Sequence, residues 1–98
     1  MISEYADLSL DLVNSMLKGP AGSHYLSNML RILLATLIEA KGEVVLITEL
    51  TDKFWQGKIR TRNAIYRQVF SLRSLIKIVG SDVDIVTKYG IGFKLTRK

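Results

Sequence analysis

Thr61-Arg62-Asn63-Ala64-Ile65-Tyr66-Arg67-Gln68-Val69-Phe70-Ser71-Leu72-Arg73-Ser74-Leu75-Ile76-Lys77 is the stretch on which the fold turns. Ile65, Val69, Leu72 and Ile76 follow at spacings of four, three and four. That period lines one side of an α-helix. At about 100° per residue, Arg60, Asn63, Ala64, Arg67, Phe70, Ser71 and Ser74 lie opposite. Thr61 can cap the first turn. The spacing therefore predicts a helix over 61–77 with one apolar face for a core and one face of arginine and small polar groups for solvent or a partner.

Upstream, Leu8, Leu10 and Leu12 alternate with Ser9 and Asp11, the period of a half-buried strand. Asn14-Ser15 can turn the chain into a strand at 16–18. Lys18-Gly19-Pro20-Ala21-Gly22 turns it again, and 23–26 returns as a third strand. A small antiparallel sheet is expected over 5–26. Ser27 can cap a helix by accepting a free N–H of its first turn. Met29, Leu30, Leu33, Leu34, Leu37 and Ile38 form that helix's apolar stripe. Gly42 ends it in a left-handed conformation. Val44-Val45-Leu46-Ile47 is expected to pair briefly as a strand. A short helix from 48 to 55 follows, with Trp55 in the core and Gly57 as its breaker. Downstream, 83–87 and 91–95 read as two strands joined by Lys88-Tyr89-Gly90.

The 98 residues make one domain, 1–98, with 48% hydrophobic residues for its core. The absence of cysteine removes disulfides, thiolate metal sites and a cysteine nucleophile. The longest apolar run, Ile32–Ile38 if Thr36 is allowed within it, is far short of the roughly 20 residues that span a bilayer. The opening Met1-Ile2-Ser3-Glu4 is acidic, unlike the basic start of a signal peptide. His24 has no second ligand at helical spacing. Asp82 and Asp84 alternate along a strand and form no convergent carboxylate pair. Gly90-Ile91-Gly92 precedes a strand, where a phosphate loop precedes a helix. No catalytic residue, metal site or cofactor is expected, and no small-molecule substrate.

Net charge is +5, but 1–52 carries −4 and 53–98 carries +9. Lys53, Lys58, Arg60, Arg62, Arg67, Arg73 and Lys77 span a stretch without one acid. Such asymmetry points to a polyanionic partner for the C-terminal half. The alternative is a solvated basic face.

Three helices followed by a hairpin make a winged helix-turn-helix pattern. Its second paired helix fits the major groove of duplex DNA, about 12 Å wide. Leu26-Ser27, Leu33-Leu34, Leu37, Gly42-Glu43-Val44-Val45, Leu50, Phe54-Trp55, Val69, Leu72-Arg73 and the segment from Ile85 to Leu95 stand in order. With them the chain resembles the C-terminal effector domain of OmpR/PhoB-type response regulators and the related cytoplasmic domains of ToxR/CadC-type regulators, over about 7–96. The resemblance implies an α+β fold: an N-terminal antiparallel sheet over 5–26, three helices over 27–77, and a β-hairpin wing over 83–96. It implies a bacterial transcription regulator that binds double-stranded DNA sequence-specifically, in the cytoplasm or as the cytoplasmic part of a longer membrane-tethered protein. Tandem homodimers on repeated half-sites and contact with RNA polymerase follow from it too.

Carried over by position, Arg62, Asn63, Tyr66, Arg67, Phe70, Ser71 and Arg73 would face DNA from the reading helix. Lys88 and Tyr89 would sit at the wing tip, with Lys94 left for phosphate. Lys58, Arg60 and Thr61 join them at the helix start. Among these, Arg73 is also placed to pair with an acid of the fold, and Tyr66 to be partly buried. Three positions depart from the family. Leu46 stands where a serine often caps the second helix. Tyr89 stands where an arginine is common. The loop Gln56-Gly57-Lys58-Ile59-Arg60 is basic where the family's is often acidic, which favours DNA backbone over polymerase there. The rival reading is a protein interaction module anchored by Phe70 and Tyr89. RNA binding ranks below both, because no clustered aromatic platform for unstacked bases is visible.

Overall fold

A computed structural model of the chain describes residues 1–55 and 62–97, the side chains of Phe54, Trp55 and Arg62 excepted. Four strands come first: β1 (Ile2–Tyr5), β2 (Leu8–Asp11), β3 (Met16–Gly19) and β4 (Gly22–Tyr25). They pair as an antiparallel meander in chain order. Leu8, Leu10 and Leu17 point into the core, as the alternation in β2 requires. The expected sheet lacked β1. Its one aliphatic residue, Ile2, is half exposed, so this edge strand carries no strong period. The sheet thus begins at Ile2, and Leu26 lies just beyond it. There the Ser15 hydroxyl donates to the Leu26 carbonyl at 2.7 Å and the Leu26 N–H donates to the Ser15 carbonyl at 2.8 Å.

Helix α1 (Asn28–Glu39) starts on Ser27, whose Oγ accepts the Leu30 N–H at 3.2 Å. Leu30, Leu33, Leu34, Leu37 and Ile38 are buried, while Met29 is only half-buried. Thr36 is buried on the same helix with its hydroxyl donating to the Ile32 carbonyl at 2.8 Å, so it costs no unpaired polar group. The helix ends one residue earlier than Gly42 would place it. Ala40 is the C-cap, and Lys41 (φ 51°) takes the first left-handed position, ahead of Gly42 (φ 89°).

Strand β5 (Val45–Leu46) runs straight into α2 (Ile47–Trp55). The long helix is α3 (Arg62–Ile78), and all four residues of its expected stripe are buried. β6 (Val83–Lys88) and β7 (Gly92–Arg97) form the hairpin, joined by Tyr89-Gly90-Ile91. The turn lies one residue later than expected: Lys88 pairs with Gly92, and Ile91 belongs to the loop. β7 also pairs with β5, giving the order β5-β7-β6. The wing is thereby stitched to the entry of α2. At Gly92 the two backbones come so close that a Cβ would fall onto the Val45 carbonyl oxygen.

α1 packs against both other helices, the N-terminal sheet and β7. Two further ties join the N-terminal sheet to the far end of α3. The Ala21 N–H donates to the Val79 carbonyl at 2.8 Å. In the β1–β2 turn, Asp7 accepts the Ser81 hydroxyl at 2.6 Å and the Asp82 N–H at 3.2 Å.

Gly92→Ala is expected to cost about 3 kcal/mol or more, because relieving the clash pushes β5 off β7. Gly90→Ala is expected to cost only about 1–2 kcal/mol: its φ of 78° is left-handed but nothing crowds it. Urea unfolding of both variants checks the order. The Ser81 and Asp82 hydrogen bonds hold the Asp7 carboxyl below its ordinary pKa. A depressed carboxylate contributes its stabilisation above the ordinary carboxylate range, and loses it as pH falls from that range through the lowered pKa. Ser81→Ala is therefore expected to move the Asp7 titration midpoint upward in an NMR titration. The stability gap between this variant and the parent should close toward acid pH.

Candidate nucleic-acid interface

Burying Ile65, Val69, Leu72 and Ile76 decides which residues of α3 look outward. Asn63, Arg67, Phe70 and Ser71 are all exposed, and with half-buried Tyr66 they line one open hollow along the helix. Phe70 is 71% exposed, a large apolar ring kept in water beside an arginine. A second hollow lies between α3 and the wing. Asn63, Tyr66, Phe70 and Arg73 line it from the helix, and Thr87 and Tyr89 from the hairpin, with buried Val69 at its floor. Thr87 was not among the expected site residues. The alternation along β6 puts it on the same side of the strand as buried Val83 and Ile85, which sequence period alone reads as core.

Arg73 is placed by an ion pair. Its Nε lies 3.5 Å from an Asp84 carboxylate oxygen on β6. Of the two roles open to Arg73 in sequence, the structure makes the pairing. The partners are 40% and 27% exposed, so the pair contributes little stability, about 0–1 kcal/mol. It does set the direction in which the arginine leaves the helix.

The wing presents Lys88 and Tyr89, both exposed, at the end of β6 and the start of the loop. Val86 pairs with Lys94 and Lys88 with Gly92. Cross-strand partners share a face, so Lys88 and Lys94 lie on one side of the hairpin. Tyr89 is 82% exposed, yet it leans back on Tyr66, with ring centroids 5.8 Å apart and planes 25° apart. Arg62 is the first residue of α3. Lys58, Arg60 and Thr61 lie outside the described residues, as do the side chains of Arg62 and Trp55.

Among the described residues, no group of three or more His, Asp or Glu side chains is placed to hold a metal ion. His24 is exposed, with Nδ1 donating to the Tyr25 carbonyl at 2.7 Å. No helix among the described residues is long and apolar enough to cross a membrane.

A three-helix core with an antiparallel sheet before it and a two-stranded wing after it defines a winged helix domain. Residues 23–95 match the family described as "Transcriptional regulatory protein, C terminal". The chain belongs to that family, and it is an OmpR/PhoB-type DNA-binding transcription regulator domain. The family is not an enzyme class. Solved structures agree on the fold. The DNA-binding domain of Escherichia coli CadC superposes with a TM-score of 0.83 at 22% identity, covering 99% of this chain and 92% of that one. The C-terminal domain of the nisin resistance regulator NsrR gives 0.79 at 23%, covering 97% of each. The DNA-binding domain of response regulator AdeR, solved in complex with an intercistronic region, gives 0.82 at 15%, covering 97% of this chain and 99% of that one. No curated protein sequence matches the chain.

Proposed function

We propose that α3 enters the major groove of double-stranded DNA and that the wing rests on the adjacent backbone or minor groove. The observation that carries this reading is the hollow on α3. Asn63, Arg67, Phe70 and Ser71 share the one face that the core leaves free. Each fits a role at base edges. Arg67 can reach O6 and N7 of a guanine with two hydrogen bonds, and Phe70 can cover a thymine methyl. Asn63 and Ser71 supply shorter polar contacts. That AdeR is described bound to an intercistronic region supports duplex DNA as the partner.

The phosphates fall to the basic residues around this face. Arg62 stands at the N-terminus of α3, where free N–H groups also favour an anion. Lys58, Arg60 and Thr61 precede it in sequence. Lys88 and Lys94 serve from one side of the hairpin. Arg73, held by Asp84, lies along the hollow between helix and wing. Tyr66 and Tyr89 border the same hollow. Two copies side by side on repeated half-sites belong to this reading, as does a cytoplasmic setting, free or tethered to a membrane through a longer chain. Contact with RNA polymerase is the remaining partner that the family resemblance implies. The family match favours DNA over a protein module anchored by Phe70 and Tyr89.

Duplex binding is expected to weaken steeply with salt. Roughly four to six phosphate contacts give a slope of about −4 to −5 in log K against log salt. A flat profile, or no duplex binding at low salt, overturns the reading. Arg67→Ala is expected to cost about 1–3 kcal/mol on a selected site and much less on random duplex. Fluorescence anisotropy on both duplexes measures the difference. Equal losses would show that Arg67 holds phosphate alone.

A further inference from the structure

Tyr66 is held on three sides. Its ring meets the buried Phe93 of β7 edge to face, with centroids 5.4 Å apart and planes at 72°. On another side it stacks with Tyr89 at the wing tip, 5.8 Å away and 25° from parallel. Its hydroxyl accepts the Gly90 N–H at 3.1 Å. Both ring geometries lie within the roughly 4.5–7 Å over which aromatic pairs attract. One side chain of the reading helix thus grips a core strand, the tip ring of the wing and the tip backbone. The loop it grips is three residues long, and it begins next to Lys88.

We propose that Tyr66 is a positioning residue, which clasps the wing tip to the reading helix so that Lys88 meets the phosphate backbone at a fixed offset from Arg67. The inference rests on the DNA reading above. Tyr89 belongs to the clasp, with its ring spent on Tyr66 and not inserted into a groove. A hairpin tip fixed in advance loses less freedom when DNA arrives, and a contact that needs no ordering is stronger. The clasp therefore acts on affinity through Lys88, without Tyr66 touching a base.

Two measurements test it. The first needs no DNA: in Tyr66→Phe, which keeps the ring and removes only the hydroxyl oxygen, amide exchange at Gly90 should speed up. Unchanged exchange overturns the clasp. The second is a double-mutant cycle on a selected duplex. In the parent, Lys88→Ala removes one phosphate contact and cuts the salt slope by about 1. In the Tyr66→Phe background, the affinity cost of Lys88→Ala should shrink by about threefold or more, since its contact is already partly lost. Tyr89→Ala, at an exposed position, should shrink it likewise. Additive effects in both backgrounds overturn the positioning role, even where Tyr66→Phe lowers the melting temperature, because a merely structural hydrogen bond has no reason to couple to Lys88. Should the parent bind no duplex, the DNA reading fails and takes this role with it. The Gly90 exchange result then still reports on the clasp by itself.

Discussion

Ile65, Val69, Leu72 and Ile76 must be buried together, and most of the structure follows from how that is done. Each buried aliphatic side chain is worth about 1.5–3 kcal/mol. No arrangement that exposes the four of them competes with one that seats them in the core that α3 shares with α1, α2 and β6. Once they are seated, the rotation of α3 about its axis is fixed. Asn63, Arg67, Phe70 and Ser71 then have nowhere to go but outward. The exposed face of α3 is thus the remainder left by core formation, which is how Phe70 comes to stand there 71% exposed.

The rest of the chain holds that rotation in place at the C-terminal end of α3 and along its middle. At its C-terminal end α3 is tied to the N-terminal sheet, through Val79 with Ala21 and through Ser81 with Asp7. Along its middle it is tied to the wing, through Arg73 with Asp84 and Tyr66 with the loop. The wing in turn is paired to β5 at the mouth of α2. A surface that has to meet two features of a rigid duplex at once needs this triangulation. Displacing helix against hairpin by even an ångström or two would trade one set of contacts for the other.

Sequence period made α3, α1 and the two wing strands legible, because each carries a continuous apolar pattern that agrees with its local caps and turns. Ser27 before α1 is the clearest case, its capping bond appearing as the serine's position implies. β1 was not legible: Ile2-Ser3-Glu4-Tyr5 carries one aliphatic residue, and its strand is held by pairing with β2 and by Tyr5, which packs on the core and donates to the Leu95 carbonyl at 3.3 Å. The left-handed residue after α1 was misplaced for a related reason. Gly42 is the residue with the lowest cost there, yet the helix ended where its stripe ran out, and Lys41 took the conformation first. In the site, exposure on α3 was readable from period, and so was an acid partner as one of two roles for Arg73, whereas the choice of Asp84 and the bond of Tyr66 to Gly90 were not. Those contacts join segments whose neighbourhood is created by the sheet order β5-β7-β6, and no local pattern encodes that order.

Charge gains its meaning from the same placement. The +9 half has only two acids, Asp82 and Asp84. Asp84 faces Arg73, and the Asp82 backbone is turned toward Asp7 at the sheet side. Neither lies on the exposed face of α3. At physiological salt, exposed charges farther apart than about 8 Å are largely screened from one another. An anion arriving at that face therefore responds to the arginine and lysine nearest to it, and the net +5 of the whole chain is a poor guide to what it meets. The acids of the first half lower the net charge that a polyanion meets at long range, while at close range only charges within about 8 Å of the contact act on it.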